Sequence, residues 1–447
     1  FDTTILGSNP SAPAKKMKKK LSKNNLLKKI QAILFPFYKS KELTRIFKKL
    51  EKDQPKNKNI AMFVGGCVRK YILNEEIDDI DIATIFSPAE IKIKFNEDDQ
   101  VKVLETGVEH GTVTLMINNK KFEITTLRKD VNTDGRHAEV EYTDDWEKDS
   151  ERRDFTINAI YLDKRGKIFD PQLGVADLNN RVVKFIGDPS KRILEDYLRI
   201  IRFIRFSLYY NYNNFEPSTI EAIKLNLDGI KNISKQRILS ELVKILQLKD
   251  FNKIVNSQLR IIFSVIFPEL KHQDRLKKIN LIPESLRLNI DSTFLLAVLL
   301  IDGSNNHEYF CHKYKVSNKT KDRLSEIATL FEKSKLNKNF FKKDLIRHIY
   351  SFGKNILKDL ALLIFLENKK ISVRDLEDQI KSINTTVIPK FPFNGEYLLK
   401  KGFTEGKKIG SVLKVLEKEW LDNNYTLSEK NISNIIKKAK KLNILNI

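Results

Sequence analysis

The sequence predicts an α+β protein: a small N-terminal head built on a mixed β-sheet with helices, followed by an elongated, all-helical neck, body and tail. Three observations predict it. Short apolar and β-branched runs separated by turn residues crowd the segment 60–163. A Gly/Asp/Asn loop, "DPQLGVADLNN" (170–180), then closes that part. From Arg192 onward nearly every segment carries Ile, Leu and Phe at helical period with Lys on the opposite face.

The elements follow in order. "SKELTRIFKKLEKD" (40–53) reads as a short amphipathic helix opening at Ser40. "IAMFVGG" (60–66) is a buried strand ending in glycines, and "VRKYIL" begins a helix. Strands are expected at "DIDIATI" (79–85), "GTVTLMI" (111–117), "KFEITTL" (121–127) and "INAIYLD" (157–163). The expected domains are a basic extension with a leading helix (1–56), the head (57–180), a neck (181–255), a helical body (256–375) and a helical tail (376–447).

Lys plus Arg number 81 against 58 Asp plus Glu, for a formal net charge of +23. That excess suits a polyanionic partner, nucleic acid before membrane. An AT-rich genome, which favours Lys, Asn and Ile, accounts for the lysines equally well but not for arginines at special spacings. Only Cys67 and Cys311 are present, which excludes a disulfide framework or a cysteine-rich zinc site. No apolar run approaches the roughly 18 residues of a membrane span. The opening "FDTTILGSNPSAPAKKMKKK" reads as an extension, and the lysine-rich, acid-poor stretch after it allows an organellar transit peptide. It is poor in Arg, so a cytoplasmic location is expected, with mitochondria as the alternative.

Strand, Gly65-Gly66, helix is the geometry in which backbone N–H groups and a helix N-terminus meet a phosphate, and Arg69 adds a planar donor fork one turn later. Asp79 and Asp81, two apart on a strand, point to one face and repel unless a cation sits between them. Oxygen ligands and two charges suit Mg²⁺, which also coordinates substrate phosphates. Alone, the aspartates read more simply as an exposed polar strand face. Beside a phosphate turn they favour phosphoryl or nucleotidyl transfer.

Gly65-Gly66-x-Val68-Arg69 followed by Asp79-x-Asp81 resembles the signature of the class II nucleotidyltransferases of the DNA polymerase β superfamily, which include CCA-adding tRNA nucleotidyltransferases and bacterial poly(A) polymerases. The resemblance implies a polymerase-β-like head with a two-metal Mg²⁺ site on Asp79 and Asp81. The family usually has Asp after the Arg, where this chain has Lys70. "ERRDFTINAIYL" (151–162) resembles the family's second motif, which implies that Arg153 contacts the nucleotide, with Arg152 and Asp154 as neighbours.

"EDYLRIIRFIRF" (195–206) reads as one helix with Asp196 and Arg199 on a shared face, Arg202 and Arg205 continuing the stripe, and Ile200, Ile201, Phe203, Ile204 and Phe206 inward. A cationic amphipathic helix has the same pattern. Chemically, a carboxylate accepting from an exocyclic amine beside a guanidinium donating to a ring nitrogen accepts C and A and rejects U and G. The resemblance implies that role for Asp196 and Arg199, and triphosphate binding for Arg202 and Arg205.

Farther on, the glycines at 402, 406 and 410 with Thr404 read either as a backbone cradle for RNA phosphate or as helix packing sites. The segment containing them resembles the tRNA-holding block of CCA-adding enzymes. His307, His312 and His348 read as structural or surface residues. The polar stretch 128–142 is expected to be the mobile loop of full CCA-adding enzymes. The expected activity is addition of CMP, CMP and AMP to tRNA from CTP and ATP. The alternatives are a poly(A) polymerase, a partial (CC- or A-adding) enzyme, or a non-catalytic RNA-binding protein.

Overall fold

The computed structural model describes residues 36–441 apart from 57, 106, 109–110, 134–137, 211–214, 338, 343, 369 and 405. The expected N-terminal extension before residue 36 lies outside the described residues. The chain divides into two compact units, with the boundary between Ile233 and Ser234.

The first unit opens with α1 (Lys41–Leu50), whose N-cap Ser40 accepts from the Leu43 N–H. The sheet strands are β1 (Ala61–Val64), β2 (Asp81–Thr84), β3 (Lys102–Leu104), β4 (Thr112–Ile117), β5 (Lys120–Thr126), β8 (Tyr161–Leu162) and β9 (Ile168–Phe169). Between them lie α2 (Gly66–Leu73), α3 (Pro88–Phe95) and α4 (Trp146–Glu151). The spatial order is β3-β4-β5-β2-β1-β8-β9. Only the β2–β5 pair is parallel; the other neighbours are antiparallel, so the sheet is mixed as expected.

Both faces of the centre are buried, which is why β1 is apolar at all four positions. On one face Met62, Val64, Ala83, Leu127 and Tyr161 form a cluster with Trp146 and Phe169 beside it. On the other, Phe63 meets Phe47 of α1 with ring centroids 4.9 Å apart.

Two expectations about strands are corrected. "INAIYLD" is not one strand: Thr156–Asn158 forms a 3₁₀ turn and only Tyr161–Leu162 pairs as β8. The buried Asn158 side chain is drawn into polar contacts there, which a regular strand would not allow. The stretch 128–142, expected as the mobile loop, contains strands: β6 (Arg128–Thr133) and β7 (Ala138–Tyr142) pair as an antiparallel hairpin with a register shift between Asp130 and Asn132. Residues 134–137 at its tip lie outside the description.

The unit closes with α5 (Gly174–Asn179), α6 (Pro189–Glu195), α7 (Leu198–Tyr210) and α8 (Pro217–Leu225). The helix expected from Glu195 is therefore broken. Asp196 is extended (φ −156°, ψ 104°), and its carboxylate accepts from the Leu198 N–H at 3.1 Å. An Asp that can cap the next helix competes with continuation of the previous one. Within α7 the apolar stripe is as expected, with Ile200, Ile201, Phe203, Ile204 and Phe206 all buried.

The described part of the second unit is entirely helical: α9 (Lys235–Leu246), α10 (Leu259–Ile266), α11 (Glu284–Arg287), α12 (Ser292–Leu300), α13 (Asn306–Tyr314), α14 (Asn318–Leu336), α15 (Leu345–Glu367), α16 (Val373–Thr385), α17 (Gly395–Lys400), α18 (Gly406–Asp422) and α19 (Glu429–Lys441), with 3₁₀ turns between. Its last three helices share a small core of Leu398, Phe403, Val412, Leu416, Ile432 and Ile436. Of the histidines, His307 is buried and His348 stacks on Phe340 at 4.2 Å, as structural residues do.

Candidate active site

The site forms where β1 runs out. Gly65 has φ +74° and ψ −127°, a conformation that side chains rarely adopt, and a Cβ there would approach the Asp81 Oδ2 to 3.5 Å. The backbone conformation, not the space, therefore calls for glycine where the chain turns into α2. Asp81 is the first residue of β2, paired with Val64. Asp79 precedes the strand and is exposed; its N–H donates to Asp78 Oδ1 at 3.0 Å, and Asp78 forms an ion pair with Lys70. The residue that replaces the usual Asp of the signature thus ties down the segment carrying Asp79.

Burial pushes the Asp81 carboxyl up to about 6, the carboxylates of Glu123 and Asp79 push the same way, and Arg153 and Arg69 pull against them. Glu123 is the register partner of Asp81 on the parallel neighbour β5. Sequence reading did not single it out. The signal was the alternation in "KFEITTL", which turns Glu123 away from the buried Phe122 and Ile124.

The arginines are held by a polar network within the first unit. Arg69 donates from Nε to Tyr210 Oη at 2.7 Å and from Nη1 to Asn158 Oδ1. Asn158 donates to Asp154 Oδ1 at 2.6 Å, and Asp154 Oδ2 accepts from Arg202 Nε at 2.7 Å. Burial raises the Asp154 carboxyl, but Arg202 and the Asn158 amide outweigh burial and hold it at about 2.

A second missed residue organises the Arg-Arg pair. Asp149 is fully buried and accepts from Arg152 Nε (2.8 Å), Arg153 Nη2 (2.9 Å) and Tyr161 Oη (2.7 Å). Burial opposes its charge, yet Arg153 and Arg152 leave it well below the usual carboxylate range. The only sequence signal is its spacing, three and four residues before the arginines on the turn of α4.

Arg199 is 9% exposed and donates to the Arg192 carbonyl (2.8 Å), the Arg152 carbonyl (3.2 Å) and the Glu195 carboxylate. Glu195 also takes both bonds from Arg192 Nη1, at 2.9 and 2.8 Å. The Asp196–Arg199 pair expected on one helix face is thus arranged otherwise: Asp196 sits in the break before α7, and the Arg199 fork is shared with Glu195. Arg202 and Arg205 lie with Arg69 around the Phe206 ring. The structure therefore gathers Gly65, Asp81, Arg69 and Arg153 in one cluster, with Arg202 joined to it through Asp154 and Asn158.

The donor chemistry fits a hard divalent cation: two carboxylates near one another, one of them reluctant to ionise without a counter-charge. Among the described residues no group of three or more His, Cys, Asp or Glu side chains could hold a metal.

Three family profiles match. "Poly A polymerase head domain" covers residues 61–184, "Probable RNA and SrmB- binding site of polymerase A" residues 214–273, and "tRNA nucleotidyltransferase domain 2 putative" residues 289–436. The mitochondrial CCA tRNA nucleotidyltransferase 1 of Danio rerio is 32% identical over 84% of this chain and 86% of its own length. Its Homo sapiens counterpart is 32% identical over 89% and 90%. The chain belongs to the CCA-adding tRNA nucleotidyltransferase family. A bacterial member, the CCA-adding enzyme of Streptococcus sanguinis, is 31% identical over 81% of the chain and 89% of its own length. In fold, the chain matches the crystal structure of the Bacillus stearothermophilus CCA-adding enzyme in complex with CTP with a TM-score of 0.64 at 22% identity, covering 89% of this chain and 96% of that one.

The tail glycines are placed as well. Gly402 has φ +86° and ends α17, its N–H bonded to the Leu399 carbonyl, as a helix-terminating glycine does. Among the described residues a Cβ on Gly406 or Gly410 would meet nothing within 4 Å, which does not fit the helix-packing reading of these two. No helix among the described residues is long and apolar enough to cross a membrane.

Proposed function

We propose that this chain adds CMP, CMP and AMP to the 3′ end of tRNA, using CTP and ATP and releasing diphosphate, without a nucleic-acid template. The observation that carries the reading is the cluster of Gly65, Asp81, Arg69 and Arg153 at the mouth of β1, in a chain a third identical to CCA-adding enzymes along most of its length.

Roles follow from chemistry. The Gly65-Gly66 turn and the start of α2 present backbone N–H groups to phosphate oxygens. Arg69, Arg153, Arg202 and Arg205 neutralise the triphosphate. Asp79 and Asp81 hold Mg²⁺, which when bound stabilises the charge that develops on the α-phosphate and the departing diphosphate. Asp196 and Arg199 select C and A, with Glu195 holding the Arg199 fork until a base competes for it. The head takes residues 57–180 and the neck 181–255. The body (256–375) and tail (376–447) carry tRNA, where the open faces at Gly406 and Gly410 admit a close phosphate. The mitochondrial names of the vertebrate relatives support the mitochondrial alternative over the cytoplasmic one.

Asp79→Ala and Asp81→Ala separate the roles: transfer is lost while tRNA binding persists. Near-normal turnover of either variant in Mg²⁺ would remove the aspartates from the metal site. Long adenosine tails made from ATP alone would favour the poly(A) polymerase alternative.

A further inference from the structure

Three guanidinium groups converge on one phenyl ring. Arg205 lies 4.3 Å, Arg69 5.0 Å and Arg202 5.7 Å from the Phe206 centroid. They arrive from two elements, Arg69 from α2 and the other two from α7. Phe206 itself is 4% exposed and wedged against Phe155, with centroids 5.5 Å apart. Its ring therefore cannot swing away without opening the core.

Like charges this close repel, and the site is partly desolvated, so something must hold them together before a polyanion arrives. Asp154 does so for Arg202, and Tyr210 and Asn158 fix two donors of Arg69. The π-face adds an attraction common to all three cations, one that does not itself occupy their in-plane N–H groups. A carboxylate in the same place would neutralise the arginines and compete with the triphosphate. A leucine would fill the space with no attraction.

We infer that Phe206 is the positioning residue of the triphosphate pocket, an aromatic platform that pre-assembles Arg69, Arg202 and Arg205 and so sets affinity for any nucleotide without reading its base. The inference rests on the phosphate role proposed above for those arginines. It deepens that role by assigning the assembly of the cluster to a buried apolar side chain.

The test compares Phe206→Leu, Phe206→Tyr and full-length protein carrying 3,4,5-trifluorophenylalanine at 206. Fluorination keeps the ring shape while draining its negative face. Steady-state KM and kcat for CTP and for ATP are measured on tRNA transcripts. Phe206→Leu raises KM for both nucleotides by about tenfold, or about 1.4 kcal/mol. kcat stays within about twofold and the preference for C and A over U and G is unchanged. The tyrosine variant restores KM, and the trifluorinated protein, with unaltered melting temperature, shows a severalfold rise.

An unchanged KM in the trifluorinated protein, alongside a raised KM in Arg205→Ala, overturns the platform and leaves the arginines in place. If Arg202→Ala and Arg205→Ala also leave KM unchanged, the phosphate role itself falls. A change in base preference with Phe206→Leu would overturn the base-independent assignment.

Discussion

Replacing Asp149 with Asn should destabilise the first unit more than any exposed substitution in it. The carboxyl is fully buried and serves two cations and a phenol: Arg152 at 2.6 Å, Arg153 at 2.9 Å and Tyr161 at 2.7 Å. An amide keeps the shape but not the charge, so two nearly buried guanidiniums lose their counter-ion. Removing one partner of a buried pair costs about 3–5 kcal/mol, and two shared cations place this one at the upper end. For a cooperative unit the size of the first one, residues 1–233, that is a fall of roughly 10 °C in melting temperature. Trp146 lies beside Tyr161, with centroids 5.4 Å apart, so a Trp420→Phe background leaves a single fluorescent reporter in the affected unit. Urea unfolding followed at that tryptophan gives the difference directly. The sign with pH follows from the depressed carboxyl. Its contribution is present above the unfolded value of about 3.9 and lost only as pH falls toward the lower folded value. The gap between wild type and Asp149→Asn should therefore hold from pH 8 to pH 5 and shrink below about 4. A gap under about 1 kcal/mol at pH 7, against the 3–5 kcal/mol expected for a buried pair, would mean that Asp149 is not the counter-ion of these two arginines. So would a gap that closes between pH 8 and 5.

Other outcomes follow from the same geometry. In metal-free protein, Asp81→Asn should be more stable than wild type at pH 7.5 by on the order of 1 kcal/mol, because an upward-shifted carboxyl costs stability where it is ionised. That advantage should fade as pH drops from about 6 toward 4, and added Mg²⁺ should stabilise wild type alone; calorimetry at several pH values checks both. Arg199→Ala and Asp196→Ala should each cost about ten- to a hundredfold in discrimination against UTP and GTP, from loss of a charged hydrogen bond of roughly 1.5–3 kcal/mol. The double variant should be little worse than the worse single one, and unchanged preference in both singles would remove the pair from base selection. Affinity for tRNA should fall steeply between low and high salt, as phosphate contacts require, and a salt-independent affinity in a filter-binding titration would point to a different partner.

The central strands were legible because doubly buried strands are continuous apolar runs: "AMFV" has no polar position to misread. The glycine turn was legible because φ +74° demands glycine. Periodicity failed at Asp196, where apolar spacing runs through "EDYLRIIRF" while a carboxylate caps Leu198 and restarts the helix. It failed again at Asn158, where side-chain contacts with Arg69 and Asp154 decide the backbone. Asp149 was hidden because "DDWEKDSERRD" has the composition of a solvated surface, and only its fold turns that carboxylate inward. Glu123 acquires its meaning through register with Asp81 across forty residues of chain, which no local pattern encodes.

A defined three-nucleotide end is what this chain is expected to build, and sequencing its product measures that directly. Full-length protein, Mg²⁺, all four nucleoside triphosphates at equal concentration and a tRNA transcript ending before CCA are combined, and the extended 3′ ends are sequenced. The expected result is a single dominant product extended by CCA, with CTP alone giving two added C residues. Untemplated runs of A, incorporation of U or G at comparable frequency, or an end that stops after one kind of nucleotide in the full mixture would contradict it.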